Sequence, residues 1–461
     1  MNSSFFSAVR NRPQLGKELR RLWSTSWPVA LAQVGFMLSG VVDTLMVSRI
    51  SVEALAAFGL ASSLQWSLQA LGFGVVLGMA PLVSQQHGAG NGEAVGLTLQ
   101  RGVLLGLLAA LPVCLALLFT EELLLWSRQD AHVAQLAHEF TLRWLPGIPA
   151  FLVFTALRES LQGREIMAPA TWVTWLSIPV NAGLNALLIW GTWGFPELGL
   201  NGAGIASSIT RTLQCGALAV CIVGFGLQRG AWQGWSRQAL RLKPLFQLFW
   251  MGAPIGLQLF LESTAFTLAV LSAGQLGVVE TAAHQVTLNM AAVTFMVPLG
   301  ISMAASARVG NLVGEADGAG VHRAMLAGLV LGGATMLVFA LLFVVLRYEL
   351  PRLYSDNTAV IALSASILPL AGAFQMVDGL QVVAAGLLRG IGRPQIAALV
   401  HFVSFYLLAV PVGYWLTFAG GFGLQGIWIA LALGLLLVTA GLVFALWRYS
   451  RMPVEQFRVS A

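Results

Sequence analysis

Charge is what this 461-residue sequence has least of: Asp, Glu, Lys and Arg together make up 10% of it, against about 25% in a soluble domain. A chain this poor in ionic side chains cannot clothe a water-facing surface along its whole length, which excludes an ordinary soluble globular protein. Lysine is nearly absent. Only Lys17 and Lys243 occur, and Gly16-Lys17 is followed by Glu18, so there is no phosphate-binding P-loop and ATP is not the direct energy source within this chain. Cysteine is scarce and lacks any CxxC spacing. Cys114, Cys215 and Cys221 all lie within apolar segments and read as small hydrophobic filler. The six histidines are scattered and indicate no zinc site. Neither G-x-S-x-G nor H-E-x-x-H occurs, and Asp378 is not in the G-x-G-D pattern of intramembrane aspartyl proteases; the expectation is a protein that is not an enzyme and needs no cofactor. The net charge of +6 is not gathered into a basic patch interleaved with aromatics, so no nucleic-acid partner is expected.

What the chain has in abundance is apolar surface. Hydrophobic residues make up 57%, with 50 glycines and 15 tryptophans, a composition that suits membrane helices packed through small residues and anchored by Trp at the interfaces. Apolar stretches of about twenty residues or more predict twelve transmembrane helices near 27–50, 54–83, 98–121, 140–162, 168–191, 202–227, 245–273, 281–308, 323–347, 360–388, 395–418 and 424–447. Arg10, Arg12, Lys17, Arg20 and Arg21 precede a run from Trp27 that is too long for a signal-peptide core, so helix 1 is expected to keep its start in the cytoplasm. With both termini inside, basic residues such as Arg101, Arg164, Arg237, Lys243, Arg308, Arg393 and Arg448 fall on the cytoplasmic side, and the outer side keeps only Arg49, Arg128, Arg143, Arg347 and Arg352.

An internal repeat divides these helices. Trp27-Pro28-Val29-Ala30-Leu31 is echoed by Ala253-Pro254-Ile255-Gly256-Leu257, Leu161-Gln162-Gly163 by Leu388-Arg389-Gly390, and Gly199-Leu200-Asn201-Gly202 by Gly423-Leu424-Gln425-Gly426, at offsets near 224 to 227 and in the same order. The fold class expected is an all-α polytopic membrane protein of two pseudo-symmetric six-helix lobes. The boundaries are a 1–26 cytoplasmic segment, an N-lobe over 27–227, a linker over 228–244, a C-lobe over 245–447 and a 448–461 cytoplasmic tail. Six helices per lobe make both halves enter the membrane in the same sense, and such repeats bind substrate between them.

Three acids interrupt the apolar runs: Asp43 in helix 1, Glu262 in helix 7 and Asp378 in helix 10. A carboxylate in hydrocarbon costs from roughly 3 kcal/mol upward, so it persists where it has work to do, here the binding of a proton or a sodium ion. Asn181 and Asn185, four apart on helix 5, share a face and would supply hard amide oxygens beside Asp43; Ser207 on helix 6 is a further candidate ligand. Gln33, Met37, Gln258, Gln285, Asn289, Met290 and Gln375 are candidates for a substrate cavity, the methionines offering an adaptable apolar surface. Arg211 on helix 6 must snorkel outward or find an acid, and His401 on helix 11 is a candidate for a proton path.

The residues then resemble a known family. Val42-Asp43-Thr44, Pro254-Ile255-Gly256-Leu257-Gln258 leading to Glu262, and the helix 10 run Phe374-Gln375-Met376-Val377-Asp378-Gly379-Leu380-Gln381 continuing to Leu388-Arg389-Gly390 look like multidrug and toxic compound extrusion (MATE) transporters of the NorM branch. The resemblance implies a V-shaped pair of lobes, probing both sides of the bacterial inner membrane in turn, that exports cationic or amphipathic compounds in exchange for Na⁺ or H⁺. It implies a C-lobe cation site, Na⁺ being slightly favoured, at Glu262 and Asp378, and an N-lobe site at Asp43 with Asn181 and Asn185. It also implies a monomer whose partners are organic cations, the coupling ion and the bilayer. Asn185 stands where another branch carries aspartate, and Arg211 replaces a polar or apolar residue. A lipid-linked precursor flippase of the same broad architecture is the alternative; it would need basic residues where these acids stand.

Overall fold

The computed structural model describes residues 12–459 apart from Gln233; Arg10, the start of the 1–26 segment, Gln233 of the linker and the last two residues of the tail lie outside the described residues. Eleven helices are long and apolar enough to cross a membrane, and a bent pair supplies a twelfth. In chain order they are α1 Arg12–Val47, α2 Val52–Gly88, α3 Gly92–Leu117, the bent α4 Ala131–Trp144 with Gly147–Gly163, α5 Ala168–Ile189, α6 Gly199–Gly224, α7 Leu242–Leu276, α8 Val278–Gly314, α9 Gly318–Val345, α10 Thr358–Gly390, α11 Pro394–Ala419 and α12 Gly423–Tyr449. No strand occurs among the described residues.

Local chemistry sets the ends. Ser51, Asn91, Asp317 and Asn357 cap α2, α3, α9 and α10 by accepting backbone N–H bonds at 3.0, 3.1, 2.8 and 2.9 Å, each satisfying a donor that the first turn leaves open. Between α7 and α8 a single residue, Gly277, makes the turn at φ 151°, a conformation closed to other side chains.

The structure differs from the sequence expectation in three places. Helix 1 begins at Arg12 rather than near 27, because Lys17, Arg20 and Arg21 are good helix formers and the polar turns run straight into the apolar run. The helix expected over 140–162 is two segments bent by 51° around Leu145–Pro146, where proline cannot donate to the ladder. Helix 11 widens into π-helix over Phe402–Ala409 and Trp415–Ala419 on either side of Pro411.

The chain forms two compact units, one of residues up to 33 with 261–460 and the other of 34–260. The division thus falls inside α1 and α7. In the 34–260 unit, α2 and the first half of α7 cross backbone to backbone: a Cβ on Gly74 would overlap Gly256, and one on Gly78 would overlap Gly252. Both helices carry the G-x-x-x-G spacing that permits such an approach. In the other unit, a Cβ on Gly300 of α8 would overlap Ala30 of α1. Gly300 lies 226 positions after Gly74, and Gly256 lies 226 after Ala30, so the same crossing occurs twice. A buried ion pair, Arg308 Nε to Glu18 Oε1 at 2.7 Å, ties the first turns of α1 to α8. The second half of α4 packs against α2, α3 and α6 at the centre of one unit; its repeat equivalent, α10, packs against α8, α9, α11 and α12 at the centre of the other.

Candidate functional site

Within the 261–460 unit the repeat's central helix carries the chemistry. Asp378 and Gln381 are three apart on α10 and therefore share a face; they are 4% and 0% exposed. Thr439 of α12 donates to the Val377 carbonyl at 2.8 Å, which fixes the turn that presents Asp378. Glu262 reaches the same place from α7, where the Tyr406 hydroxyl donates to the neighbouring Leu261 carbonyl at 3.0 Å.

One amide joins the two acids. Gln381 Nε2 donates to Asp378 Oδ1 at 3.1 Å and to Glu262 Oε1 at 3.3 Å. Behind it stands His401, fully buried at the end of the regular part of α11. Its Nδ1 donates to the Ala397 carbonyl at 2.7 Å, while its Nε2 lies 3.1 Å from Gln381 Oε1 and 3.9 Å from Glu262 Oε2. No Arg or Lys among the described residues pairs with either acid. Two carboxylates without a fixed cation cannot both stay charged and empty at low cost, so the pair is built to receive a positive visitor. Glu262, with its side chain 15% exposed, is the more open of the two.

In the 34–260 unit the arrangement is different. Asn185 Nδ2 donates to Asp43 Oδ1 at 2.6 Å and to Asn181 Oδ1 at 3.2 Å, and Asn181 Nδ2 reaches Thr210 Oγ1 at 3.4 Å. The two asparagines are 2% and 0% exposed, and Asn185 Oδ1 is buried without a partner. Ser207 is buried on α6, but Thr210, one turn further on, is the α6 residue that meets the amides. Arg211 neither snorkels nor pairs with an acid at contact distance. Its guanidinium lies 4.0 Å over the Trp144 ring and 5.1 Å over Phe151, with Nη1 donating to Gln69 Oε1 at 3.2 Å. Aromatic faces replace much of the water that the cation has lost, and it remains within electrostatic reach of Asp43.

Gln375 is fully buried and donates to the Ala291 carbonyl at 3.0 Å, and Asn289 donates to the Gln285 carbonyl of its own helix at 2.9 Å. Gln258 and Met290 are buried, Gln33 and Met37 half-buried, and Gln285 exposed. A cavity of about 50 Å³ between α7, α11 and α12 is lined by residues such as Ala265, Ala269, Phe405, Tyr414 and Thr417. No group of three or more His, Cys, Asp or Glu placed to hold a metal ion occurs among the described residues. A sodium ion at Glu262 and Asp378 would therefore need amide or backbone oxygens as well, and Gln381 is the amide in place to give one. Sequence reasoning missed Gln381 and Thr210; the i, i+3 spacing from Asp378 was the available signal for the former.

The MatE family model matches the chain twice, over residues 28–187 and 254–415, beginning 226 positions apart like the glycine crossings. The multidrug resistance protein NorM of Photobacterium profundum is 31% identical over 96% of this chain and 98% of its own length. A probable multidrug resistance protein NorM of Bradyrhizobium diazoefficiens is 35% identical over 91% of each. Among solved structures, the eukaryotic MATE transporter AtDTX14 superposes with a TM-score of 0.87 at 22% identity, covering 96% of this chain and 100% of that one. A mutant of the Vibrio cholerae MATE transporter VcmN gives 0.85 at 17%, covering 96% and 99%. Twelve spans in a doubled arrangement, an acid site in each unit and full-length relatives agree: this multi-pass membrane protein belongs to the MATE transporter family, in its NorM-like branch.

Proposed function

We propose that this transporter exports cationic or amphipathic compounds in exchange for Na⁺ or H⁺, as a secondary antiporter of the bacterial inner membrane with both termini cytoplasmic. The observation that carries the reading is the Glu262–Asp378 pair: two carboxylates from different helices, bridged by one amide and lacking a fixed counter-ion. A buried acid pair binds either an inorganic cation or an organic one, and each neutralises charge that the other would otherwise find waiting. Occupancy by one lowers affinity for the other, which is the coupling an exchanger needs. Exposure of the pair alternates between the two sides of the membrane as ligands replace one another. The multidrug resistance names of the NorM relatives support the substrate class.

The test is ethidium efflux from proteoliposomes with an imposed Na⁺ gradient at clamped pH, repeated with a pH gradient in the absence of Na⁺. Efflux driven by one gradient, and lost in both Glu262→Gln and Asp378→Asn, is the expected result. Full gradient-driven efflux by either variant at normal abundance contradicts the assignment.

A further inference from the structure

We propose that Arg101 of α3 and Arg241 of the linker before α7 bind the phosphate of an anionic glycerophospholipid, whose acyl chains lie along the apolar stripe that opens α7. The inference stands apart from the exchange reading. It uses only the 34–260 unit and the fact that α3 and α7 span a membrane.

The linker is fastened to α3 along its length. A Cβ on Gly92 would overlap the Gly230 carbonyl, and one on Gly96 would overlap the Ala231 carbonyl. One turn further along α3, Gln100 holds the chain with both ends of its amide. Its Nε2 donates to the Gly234 carbonyl at 2.6 Å, and its Oε1 accepts from the Ser236 N–H at 2.9 Å. Ser236 Oγ accepts from the Gln238 N–H at 3.2 Å and caps the turn Arg237–Leu240, and Arg101 Nη2 donates to the Gln238 carbonyl at 3.5 Å. From Gly92 to Arg101 the linker thus follows about 14 Å of helix. It brings Arg241 to Arg101, so that the two cations lie within electrostatic reach of one another.

No acid offsets them. Neither 94–120 nor 198–261 contains Asp or Glu, and no ion pair joins Arg101, Arg237, Arg241 or Lys243 to an acid among the described residues. Two guanidiniums held together repel. A phosphate between them turns that repulsion into attraction, and their planar forks suit its oxygens. The level of the pair identifies the source of the phosphate. Arg101 is the last charge before the uncharged run 102–120, and Lys243 the last before 244–261, so both stand where hydrocarbon gives way to headgroups. Leu242, Phe246, Phe249 and Trp250 follow at helical spacing, and all four are exposed. Such a stripe suits acyl chains rather than water. Trp235, also exposed and edge-on to Trp232 at 5.3 Å, adds the amphipathic ring favoured at that depth. A soluble phosphate would use the arginines alone; a phospholipid uses the arginines and the stripe.

The experiment is native mass spectrometry of the detergent-solubilised full chain, titrated with phosphatidylglycerol, with phosphatidylcholine of the same acyl chains, or with inorganic phosphate. The first phosphatidylglycerol is expected to bind about tenfold more tightly than the first phosphatidylcholine. Arg101→Gln and Arg241→Gln should each weaken phosphatidylglycerol binding by about fivefold, the worth of one basic residue at an anionic surface. The double variant should no longer distinguish the two lipids. Arg128→Gln, which alters an exposed cation between α3 and α4, should leave the preference intact. Equal binding of the two lipids, an unshifted Arg241→Gln, or the same loss from Arg128→Gln overturns the proposal. Displacement of phosphatidylglycerol by millimolar inorganic phosphate overturns the lipid assignment and leaves a site for a soluble anion. Arg241 is exposed and precedes α7, so its variant decides alone should Arg101→Gln fail to accumulate.

Discussion

The two units share a scaffold and differ in chemistry. Each places a backbone-to-backbone crossing at the same register, Gly74 on Gly256 in one and Gly300 on Ala30 in the other, and each centres on the equivalent helix. The acids do not follow that register. The position 226 before Glu262 is Phe36, and 226 after Asp43 is Ala269. In the 261–460 unit one amide serves two acids with no cation beside them. In the 34–260 unit two amides serve one acid, with Arg211 held nearby on aromatic faces. The first site brings two acids together; the second has one acid, within electrostatic reach of Arg211 but not paired with it. Duplication supplies architecture, and ion binding is then a matter of where charge is left uncompensated.

If the scaffold is shared, Gly74→Leu and Gly300→Leu should be equally damaging. Each forces a side chain into a backbone and should cost about 3 kcal/mol or more, read as loss of folded protein on size-exclusion chromatography; survival of one but not the other would break the symmetry. If the chemistry is not shared, Asp378→Asn should reduce gradient-driven efflux roughly tenfold or more. Asp43→Asn, removing a lone acid that has Arg211 within electrostatic reach, should cost only about two- to threefold, and equal losses would erase the distinction. The smallest and sharpest effect is expected from Arg211→Gln. It removes a cation within electrostatic reach of Asp43, so the dependence of efflux on cation concentration should steepen, with a Hill coefficient moving toward about two.

The twelve spans were legible because long apolar runs have few other uses, and the acids because an ionic group in such a run is costly. Gln381 was not, since Gln33, Gln258 and Gln375 sit in equally apolar company and only the positions of Glu262 and His401 distinguish it. The division inside α1 and α7 was hidden for a similar reason. Gly74, Gly78, Gly252 and Gly256 show the small-residue spacing, but they are four among 50 glycines, and which pair meets is a tertiary fact. The π-widening of α11 follows from hydrogen-bond slippage around Pro411 that residue types alone do not specify. The sequence expectation for Arg211 considered water or an acid as its partner; Trp144, 67 positions earlier, supplies a third solution.

The crossing of Gly300 on Ala30 also has a bearing on birth order at the ribosome. The 34–260 unit is one uninterrupted stretch, complete once Phe260 has emerged. The opening half of α1 has no such luck: its neighbours are encoded beyond the 227 residues from Val34 to Phe260. At about 5–20 residues per second it waits on the order of ten to fifty seconds for them. For that interval Glu18 has no Arg308 and Ala30 no Gly300, leaving an inserted but solitary helix end that lipid, or an insertion chaperone, must keep company.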